Sequence, residues 1–400
     1  MSDYVVNTPD KKLGSNGNDA AINGLTEQLK GLSTRNNEKA IDTTKKEINM
    51  LLVIKVGDNS LIVLARELME WILVRYSRVI LYIEETLEDS PDLDVKSMFK
   101  DSKCKLYRIR YWNQDFIDTQ NDKIDVVLTL GGDGTVLYVS SIFQCKVAPV
   151  MSFALGSLGF LTTFKFENFK KDIASVLGNK FSVNKRMRLL CKVFRRLPCS
   201  VDKTTGKKIA YSKLVCEHHV LNEVTINRGP SPFLSNLELY GDGSLFTVAL
   251  ADGLIISTPT GSTAYSLSAG GSLVYPSVNS LVVTPICPNT LSFRPIILPE
   301  TMVLEVKVPV KSRGIAWAAF DGKDKIELER GDYITVSVSP FAFPTFESSP
   351  TQYIDSIRRT LNWNLREPQK SFTSILSPKN RVKYETVENT KKLAEESEED

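Results

Sequence analysis

Between residues 50 and 180 of this 400-residue chain, short runs of apolar residues alternate with segments in which apolar residues recur at helical intervals. One stripe of leucine and isoleucine at helical intervals follows Asp58-Asn59-Ser60 and predicts a helix over about 60–76. Strand, helix and strand in this rhythm are typical of a parallel sheet. The pattern predicts strands at Met50–Val56, Val79–Glu84, Asp125–Leu130 and Ala148–Leu155, with further helices at about 135–143 and 167–177. Residues 48–184 are therefore predicted to form an α/β domain with a parallel sheet.

The pattern changes after about residue 185 to short β-rich runs punctuated by Asp-Gly turn dipeptides. Such runs predict a second, mostly antiparallel domain over residues 185–345. An amphipathic helix follows within residues 346–365, and we expect it to pack back on the first domain. Residues 1–47 are polar, and residues 366–400 end in an acidic run, so both tails are predicted to be disordered.

Composition narrows the class of protein without identifying it. The hydrophobic fraction is 42% and the formal net charge is +3, so overall charge gives no reason to expect nucleic-acid or membrane binding. Six cysteines lie far apart without CxxC spacing, which favours reduced thiols. No apolar run has the length of a membrane span, and the first twenty residues lack the pattern of a leader. We therefore expect a cytoplasmic protein.

The chain contains only two histidines, His218 and His219, and they are adjacent. Neighbours in a strand point to opposite faces, so this pair would rarely act together. A packed or solvated role for both is the simpler expectation. Chemistry that needs a proton acceptor must use that pair, a carboxylate or a less common base.

The first loop of interest is Gly131-Gly132-Asp133-Gly134-Thr135, between a predicted strand and a predicted helix. Glycines let backbone approach an anion, and a helix N-terminus offers free N–H groups and partial positive charge, so the loop resembles a phosphate site. It nevertheless lacks the P-loop lysine and carries a carboxylate. Asp133 could bind Mg²⁺, accept a proton from an attacking hydroxyl, or simply serve as a turn and cap residue.

The second loop follows another predicted strand and is rich in hydroxyl groups and small residues. It runs from Ser257 to Gly271 and includes Ser257-Thr258-Pro259-Thr260-Gly261-Ser262-Thr263-Ala264. Such a composition suits a cradle for a polar ligand, although a Ser/Thr-rich surface turn has the same appearance. Two glycine-rich loops on different domains suggest a cleft for a large phosphorylated ligand, or for two ligands.

Smaller signals accompany the two loops. Leu155–Phe164 follows the fourth predicted strand and could face the same crevice. Asn222-Glu223 offers an amide and a carboxylate suited to ribose or adenine, although an exposed strand pair is the simpler interpretation in isolation. Asp252-Gly253 and Asp321-Gly322 read first as hairpin turns.

Together these motifs, in this order, resemble the ATP-dependent NAD kinases over about residues 50–364. The motif of the first loop is shared with lipid kinases and phosphofructokinases, whereas the complete motif of the second loop is specific to the NAD kinases. The resemblance implies a nucleotide-binding α/β domain and a β-rich domain that completes the NAD site. It implies transfer of the γ-phosphoryl group of ATP to the 2′-hydroxyl of the adenosine ribose of NAD⁺, with NADH as a possible further acceptor. A divalent metal, Mg²⁺ by expectation, and a homo-oligomer are also implied.

The resemblance assigns roles to particular residues. Asp133 is implied to be the catalytic carboxylate, within the loop of Gly131, Gly132, Gly134 and Thr135. Residues implied to contact the dinucleotide are Asn222, Glu223, Asp252, Thr263, Ala264, Tyr265, Ser268 and Phe160. The metal ligands remain unknown.

Two other functions stay open. A lipid kinase of the diacylglycerol or sphingosine type shares the first loop, but the second loop argues against it. A non-catalytic NAD-binding sensor would keep the second loop, but the intact Asp133 argues against that.

Overall fold

The computed structural model describes residues 41–42, 45–55, 59–99, 103–198, 200–201, 208–209, 211–362 and 372–396. The chain divides into two compact units, one ending at Tyr353 and the other beginning at Ile354. None of the helices in these ranges is both long enough and apolar enough to cross a membrane.

Seven helices of the described first unit alternate with strands or follow them. They are α1 (Asn59–Arg75), α2 (Val95–Met98), α3 (Lys103–Leu106), α4 (Gln114–Gln120), α5 (Asp133–Ile142), α6 (Phe169–Leu177) and α7 (Tyr265–Ser268). Helix α8 (Gln352–Leu361) spans the boundary between the units, and α9 (Pro378–Glu396) lies in the second.

The strands of the first half are β1 (Ile48–Ile54), β2 (Val79–Glu84), β3 (Ile109–Trp112), β4 (Val126–Leu130), β5 (Val150–Ala154), β6 (Phe164–Lys165) and β7 (Val183–Arg186). Those that follow are β8 (Leu189–Arg196), β9 (Ser200–Val201), β10 (Lys208–Ile209), β11 (Ser212–Val220), β12 (Glu223–Asn227), β13 (Ser235–Gly241), β14 (Ser244–Ala251) and β15 (Gly253–Ser257). The last are β16 (Ser280–Ile286), β17 (Ile296–Pro299), β18 (Leu304–Lys307), β19 (Ala316–Phe320), β20 (Lys323–Leu328), β21 (Tyr333–Val338) and β22 (Phe343–Phe346).

The first sheet has the order β3-β2-β1-β4-β5-β22-β7, and its β1 to β5 pairings are parallel. Both faces are covered, as parallel sheets require. Met50 and Leu52 of β1 pack with α1 on one face. Leu51 and Val53 pack with α5 on the other face. The carboxyl ends of β1, β4 and β5 therefore meet at one edge, where the first glycine loop leaves β4.

Two antiparallel sheets form the β-rich part, with orders β11-β8-β21-β18-β13-β14 and β17-β16-β15-β12-β19-β20. Alternate side chains of β8 and β12 enter one shared apolar core, which includes Leu189, Val193, Val224 and Ile226. Inward-facing residues of two sheets in one core are the packing of a β-sandwich. The predicted fold class, an α/β domain followed by a β-rich domain, is confirmed.

The four predicted strands and three predicted helices of the first half are present, with ends displaced by two residues or fewer where described. The interpretation of the β-rich half needs one correction. Strands β7 and β22, at the two ends of residues 185–345, pair with each other and join the first sheet rather than the sandwich. Strand β3 was not predicted, because its four residues carry no clear alternation.

Parts of the predicted tails have structure. Ile41 is 2% exposed and exchanges two hydrogen bonds with the side-chain amide of Asn179, so order begins before residue 48. Residues 378–396, predicted to be disordered, form α9. Proline at the first position and a predominance of good helix formers explain this helix despite its polarity. Most of residues 1–47 lies outside the described residues, and the remaining domain boundaries stay predictions.

Candidate active site

The first glycine loop occupies the turn between β4 and α5. Gly131 has a φ of +155°, and a Cβ there would collide with the Thr135 hydroxyl, so glycine is required. A Cβ on Gly132 or Gly134 would meet nothing within 4 Å. The backbone of these two exposed glycines is therefore open to an incoming anion at the start of a helix.

Asp133 is the first residue of α5, and its carboxylate is held by the loop that follows β5. Oδ1 accepts hydrogen bonds from the amides of Leu161 (3.1 Å) and Thr162 (3.0 Å) and from the Thr162 hydroxyl (2.8 Å). Oδ2 accepts only the Phe160 amide, at 3.0 Å, among the described residues. A Cβ on Gly159 would collide with this carboxylate. Asp133 is thus fixed in orientation, and Oδ2 keeps capacity for a further hydrogen bond.

The Asp133 loop and the Leu155–Phe164 segment, two separate signals in the sequence, meet in the structure. The segment around Leu155–Phe164 was expected to face the crevice, and the structure brings it directly onto Asp133. Phe160 is half-buried and contributes its backbone amide to the carboxylate. Its predicted packing against a dinucleotide stays a prediction.

Asn222 and Glu223 form a second polar centre at the start of β12. Both are buried, and Asn222 Oδ1 and Glu223 Oε2 have no hydrogen-bond partner in the described part of the chain. Buried polar atoms are nearly always paired in proteins, so these two oxygens are suited to a ligand. Burial, with a smaller contribution from the charge of Asp321, raises the pKa of Glu223 to about 8.

Asp321 holds the backbone of Asn222 and Glu223 in place through hydrogen bonds. Its carboxylate accepts the amides of Leu221 (2.8 Å), Asn222 (2.7 Å) and Glu223 (3.1 Å). Burial raises the pKa of Asp321, and the three amides oppose that effect. Asp321-Gly322 is the two-residue turn between β19 and β20, with positive φ at both positions, as predicted. Its second role as an anchor was not predicted, because a turn dipeptide does not reveal which distant backbone its side chain meets.

The second glycine loop packs against the Asn222 segment. The Thr258 hydroxyl donates to the Leu221 carbonyl at 2.6 Å, and the Thr258 amide donates to the Asn222 carbonyl at 2.8 Å. A Cβ on Gly261 would collide with the same Asn222 carbonyl. The loop then forms a single 3₁₀ turn, Gly261–Thr263, which leads into α7.

The predicted dinucleotide wall lies on this turn and helix. Thr263 and Ala264 are half-buried, and Ser268 is exposed. The Tyr265 side chain is 43% exposed, which is unusual for a large ring beside a buried loop. These four residues are therefore available to a ligand on the outer side of the loop, and their contacts with a dinucleotide stay predictions.

The two loops lie close together in the first unit. Leu221, immediately before Asn222, packs in the same apolar cluster as Val136 and Val139 of α5 and as Leu161. The helix that presents Asp133 thus shares its core with the segment that presents Asn222. We refer to the region between these two centres as the candidate crevice.

Asp252 is not part of that crevice within one chain. Glu223 pairs with Ser257 and Asn227 pairs with Gly253, so Asp252 lies at the opposite end of β12 from Glu223. At about 3.4 Å per residue the separation is roughly 15 Å. Asp252 instead forms an ion pair with Arg228, at 2.7 Å. The structure does not bring Asp252 together with Asn222 and Glu223, and its predicted NAD contact stays a prediction.

The histidines have packed positions, as expected. His219 is buried, and its Nδ1 lies 2.7 Å from the Ser339 hydroxyl. His218 stacks on Phe320 with ring centroids 4.2 Å apart. Burial lowers the pKa of both imidazoles. Asp133 therefore remains the candidate proton acceptor.

The described residues contain no group of three Asp, Glu, His or Cys side chains that could form a metal cage. Mg²⁺ often binds through substrate phosphates and water with few protein ligands. A divalent cation therefore fits this site as part of a magnesium–nucleotide substrate rather than in a cage of the described side chains.

A glycine loop with a fixed carboxylate at a helix N-terminus is typical of a phosphotransferase that acts on a nucleotide. Residues 50–181 match the ATP-NAD kinase N-terminal domain, and residues 221–348 match the ATP-NAD kinase C-terminal domain. The chain belongs to the NAD kinase family, as the sequence predicted.

Individual relatives agree with this assignment. The chain is 60% identical over 349 residues to an NAD(+) kinase of Saccharomyces cerevisiae, covering 86% of this chain and 66% of that protein. It is 52% identical over 336 residues to the ATP-NADH kinase YEF1 of the same yeast, covering 84% of this chain and 68% of that protein. The chain therefore spans about two thirds of the length of these relatives.

Solved structures show the same fold. The chain superposes on yeast NADH kinase in complex with NADH with a TM-score of 0.66 and 30% identity, covering 83% of this chain and 94% of that one. An NAD kinase from Archaeoglobus fulgidus in complex with ATP gives a TM-score of 0.53 at 20% identity, covering 77% and 96%. This second similarity concerns the fold alone.

Proposed function

We propose that this protein is an ATP-dependent NAD kinase that phosphorylates the 2′-hydroxyl of the adenosine ribose of NAD⁺. The observation that carries the proposal is the fixed Asp133 carboxylate, with spare capacity on Oδ2, on a helix that shares its apolar core with the segment carrying the unpartnered oxygens of Asn222 and Glu223. Membership of the NAD kinase family supports the choice of acceptor.

The reaction is a single phosphoryl transfer. The ribose oxygen forms a bond to the γ-phosphorus, the bond between that phosphorus and the bridging oxygen breaks, and ADP leaves. The hydroxyl proton passes to Asp133, for which Oδ2 is the available atom. Phosphoryl transfer needs mostly positioning and charge neutralisation, because the transition state is loose.

The donor phosphates are expected at the backbone of Gly132 and Gly134, where the helix N-terminus favours negative charge. MgATP is the proposed donor, and the cation offsets the charge of the phosphates it arrives with. Lys55, exposed at the carboxyl end of β1 beside Gly131, adds a positive charge at this edge.

On the acceptor side, Asn222 and Glu223 are proposed to bind the adenosine part of NAD⁺ through their unpartnered oxygens. A protonated Glu223 can donate a hydrogen bond as well as accept one, which suits a ribose hydroxyl. The wall of Thr263, Ala264, Tyr265 and Ser268 would cover the rest of the dinucleotide. NADH is proposed as a second acceptor, since two of the similar yeast proteins are NADH kinases.

The test is incubation of the purified chain with MgATP and NAD⁺, NADH or diacylglycerol. NADP⁺ or NADPH formation, detected with a dehydrogenase specific for the phosphorylated cofactor, supports the proposal. Phosphatidate instead of NADP⁺ would identify a lipid kinase. NAD⁺ binding without any product would identify a sensor.

We further propose a homo-oligomer in the cytoplasm. Edge strand β14 exposes Leu245, Phe246, Val248 and Leu250, each more than 40% accessible. An exposed apolar edge strand is a liability unless another chain covers it. Light scattering of the wild type and of Phe246→Asp tests this. A monomeric wild type would contradict the proposed assembly, and microscopy of a tagged chain tests the compartment.

A further inference from the structure

Arg186, at the end of β7, is a buried cation without a paired carboxylate. It is 5% exposed, and no Asp or Glu of the described chain lies within 4 Å of its guanidinium. Burial lowers its pKa, and the charge of Asp133 is the strongest influence in the opposite direction. Because a buried unpaired charge is costly, the position needs an explanation.

The hydrogen bonds of Arg186 join two parts of the site. Its Nε donates to the Thr345 hydroxyl at 3.1 Å, within strand β22 of the first sheet. Its Nη1 donates to the Thr260 hydroxyl at 3.3 Å, within the second glycine loop. The rigid fork of one guanidinium thus holds the second loop at a fixed position relative to the first sheet.

That position is transmitted to the acceptor-binding residues. Two residues before Thr260, Thr258 is hydrogen-bonded to the backbone of Leu221 and Asn222. Thr260 also accepts the Thr263 hydroxyl on its carbonyl, at 3.0 Å. A shift of Thr260 would therefore move both the Asn222 segment and the turn that begins the predicted dinucleotide wall.

We propose that Arg186 is a positioning residue for phosphoryl transfer, which fixes the second glycine loop against the first domain so that the acceptor hydroxyl meets Asp133. This inference rests on the proposed NAD kinase function. Arg186 acts through its hydrogen bond to Thr260 and through the charge that it places near Asp133.

The expected effect follows from the sensitivity of transfer to geometry. A misplacement of about 1 Å can reduce a rate by roughly 10²-fold. Arg186→Met keeps most of the volume and removes both hydrogen bonds, so kcat should fall by about that factor while the KM for NAD⁺ changes less. Arg186→Lys keeps the charge but lacks the fork, so it should recover only part of the loss.

Thr345→Val gives a test that does not touch either glycine loop. It removes one of the two bonds of Arg186, and kcat should fall by about 3–10-fold, the effect of one lost hydrogen bond. Thr260→Val should lower kcat similarly. The double variant Arg186→Met with Thr260→Val should be no slower than Arg186→Met alone, because both changes break the same link.

The experiment measures kcat, KM for NAD⁺ and melting temperature for the full chain and each variant. The matched control is Arg195→Met, a half-exposed arginine of neighbouring strand β8 that pairs with Glu329 and Asp332 and should keep wild-type kinetics. Reduced kcat in folded Arg186 and Thr345 variants supports the proposal. Wild-type kcat in both, with only a lower melting temperature, overturns it.

Two further outcomes are also decisive. If Arg186→Met does not fold, Thr345→Val decides the question by the same criterion. If the wild-type chain forms no NADP⁺, the proposed function fails and this proposal fails with it, before any variant is compared.

Discussion

Replacing Glu223 by glutamine tests whether this carboxyl group is held uncharged in the crevice. Glu223 is 7% exposed, and its Oε2 has no partner among the described residues. Burial, helped by the charge of Asp321, raises its pKa from 4.5 to about 8. The folded protein therefore retains a proton that the unfolded chain releases near pH 4.5.

The sign of the pH dependence follows directly. Because the folded pKa is the higher one, the contribution of Glu223 to stability is fully present below about pH 4.5 and is lost as the pH rises toward 8. At about 1.4 kcal/mol per pKa unit, the difference between 4.5 and about 8 limits this contribution to the free energy of unfolding to the order of 5 kcal/mol. Glutamine cannot ionise, so Glu223→Gln should avoid this loss.

Urea unfolding at pH 5 and pH 8.5 measures the effect for the wild type, Glu223→Gln and the exposed control Glu327→Gln in β20. From pH 5 to pH 8.5, the free energy of unfolding of Glu223→Gln should rise by roughly 2–4 kcal/mol relative to that of the wild type. The difference in free energy of unfolding between Glu327→Gln and the wild type should be the same at both pH values. A difference between Glu223→Gln and the wild type that is equal at both pH values would refute the assignment of a neutral Glu223.

Three other predictions concern the loops. Asp133→Asn should lower kcat by roughly 10²–10⁴ and also lower the melting temperature, since its NH₂ group would face an N–H donor; wild-type kcat would exclude Asp133 as the base. Gly134→Ala should weaken the use of ATP and leave the melting temperature unchanged. Gly159→Ala, whose Cβ collides with Asp133, should lower both activity and melting temperature. The same kinetics and the same melting temperature for the two variants would contradict this distinction. Asp321→Asn should reduce the free energy of unfolding by about 1–3 kcal/mol and raise the KM for NAD⁺, and an unchanged KM in the folded variant would show that the anchor does not shape the site.

Local sequence patterns were sufficient for four strands and three helices of the first half of the fold. Each predicted strand there is a short apolar run with a helix beside it, and both periods are readable without knowledge of distant residues. The glycine loop was equally accessible, because Gly131, Asp133 and the start of α5 are adjacent in the chain. Contacts within a few residues determine these features.

Long-range pairing set the limit of prediction. Strand β22 joins the first sheet across more than 150 residues and pairs with β7, and nothing in its four residues specifies that partner. Arg186 and Asp321 become important only through this kind of contact, with Thr260 in one case and with the Asn222 segment in the other. For Asp321 a signal existed in retrospect, since a charged residue directly after the mostly buried strand β19 requires a partner.

The position of Asp252 was also not readable from local patterns. The resemblance to the NAD kinases implied that Asp252 contacts the same dinucleotide as Asn222 and Glu223. The strand between them is extended, so four residues of register place it at the far end of β12. Closeness in sequence is a poor guide to closeness in space when a strand intervenes.

Two catalytic effects of different size contribute to the proposed reaction. Acceptance of a proton by Asp133 contributes at most about 10⁴-fold, or roughly 5 kcal/mol. Positioning of two reactants contributes up to about 7–11 kcal/mol. The buried groups around the crevice correspond to the larger effect: four donors fix Asp133, three amides fix Asp321, and Arg186 links the loops. In the proposed reaction these contacts serve to orient the hydroxyl relative to the phosphate, and the choice of base is the smaller effect.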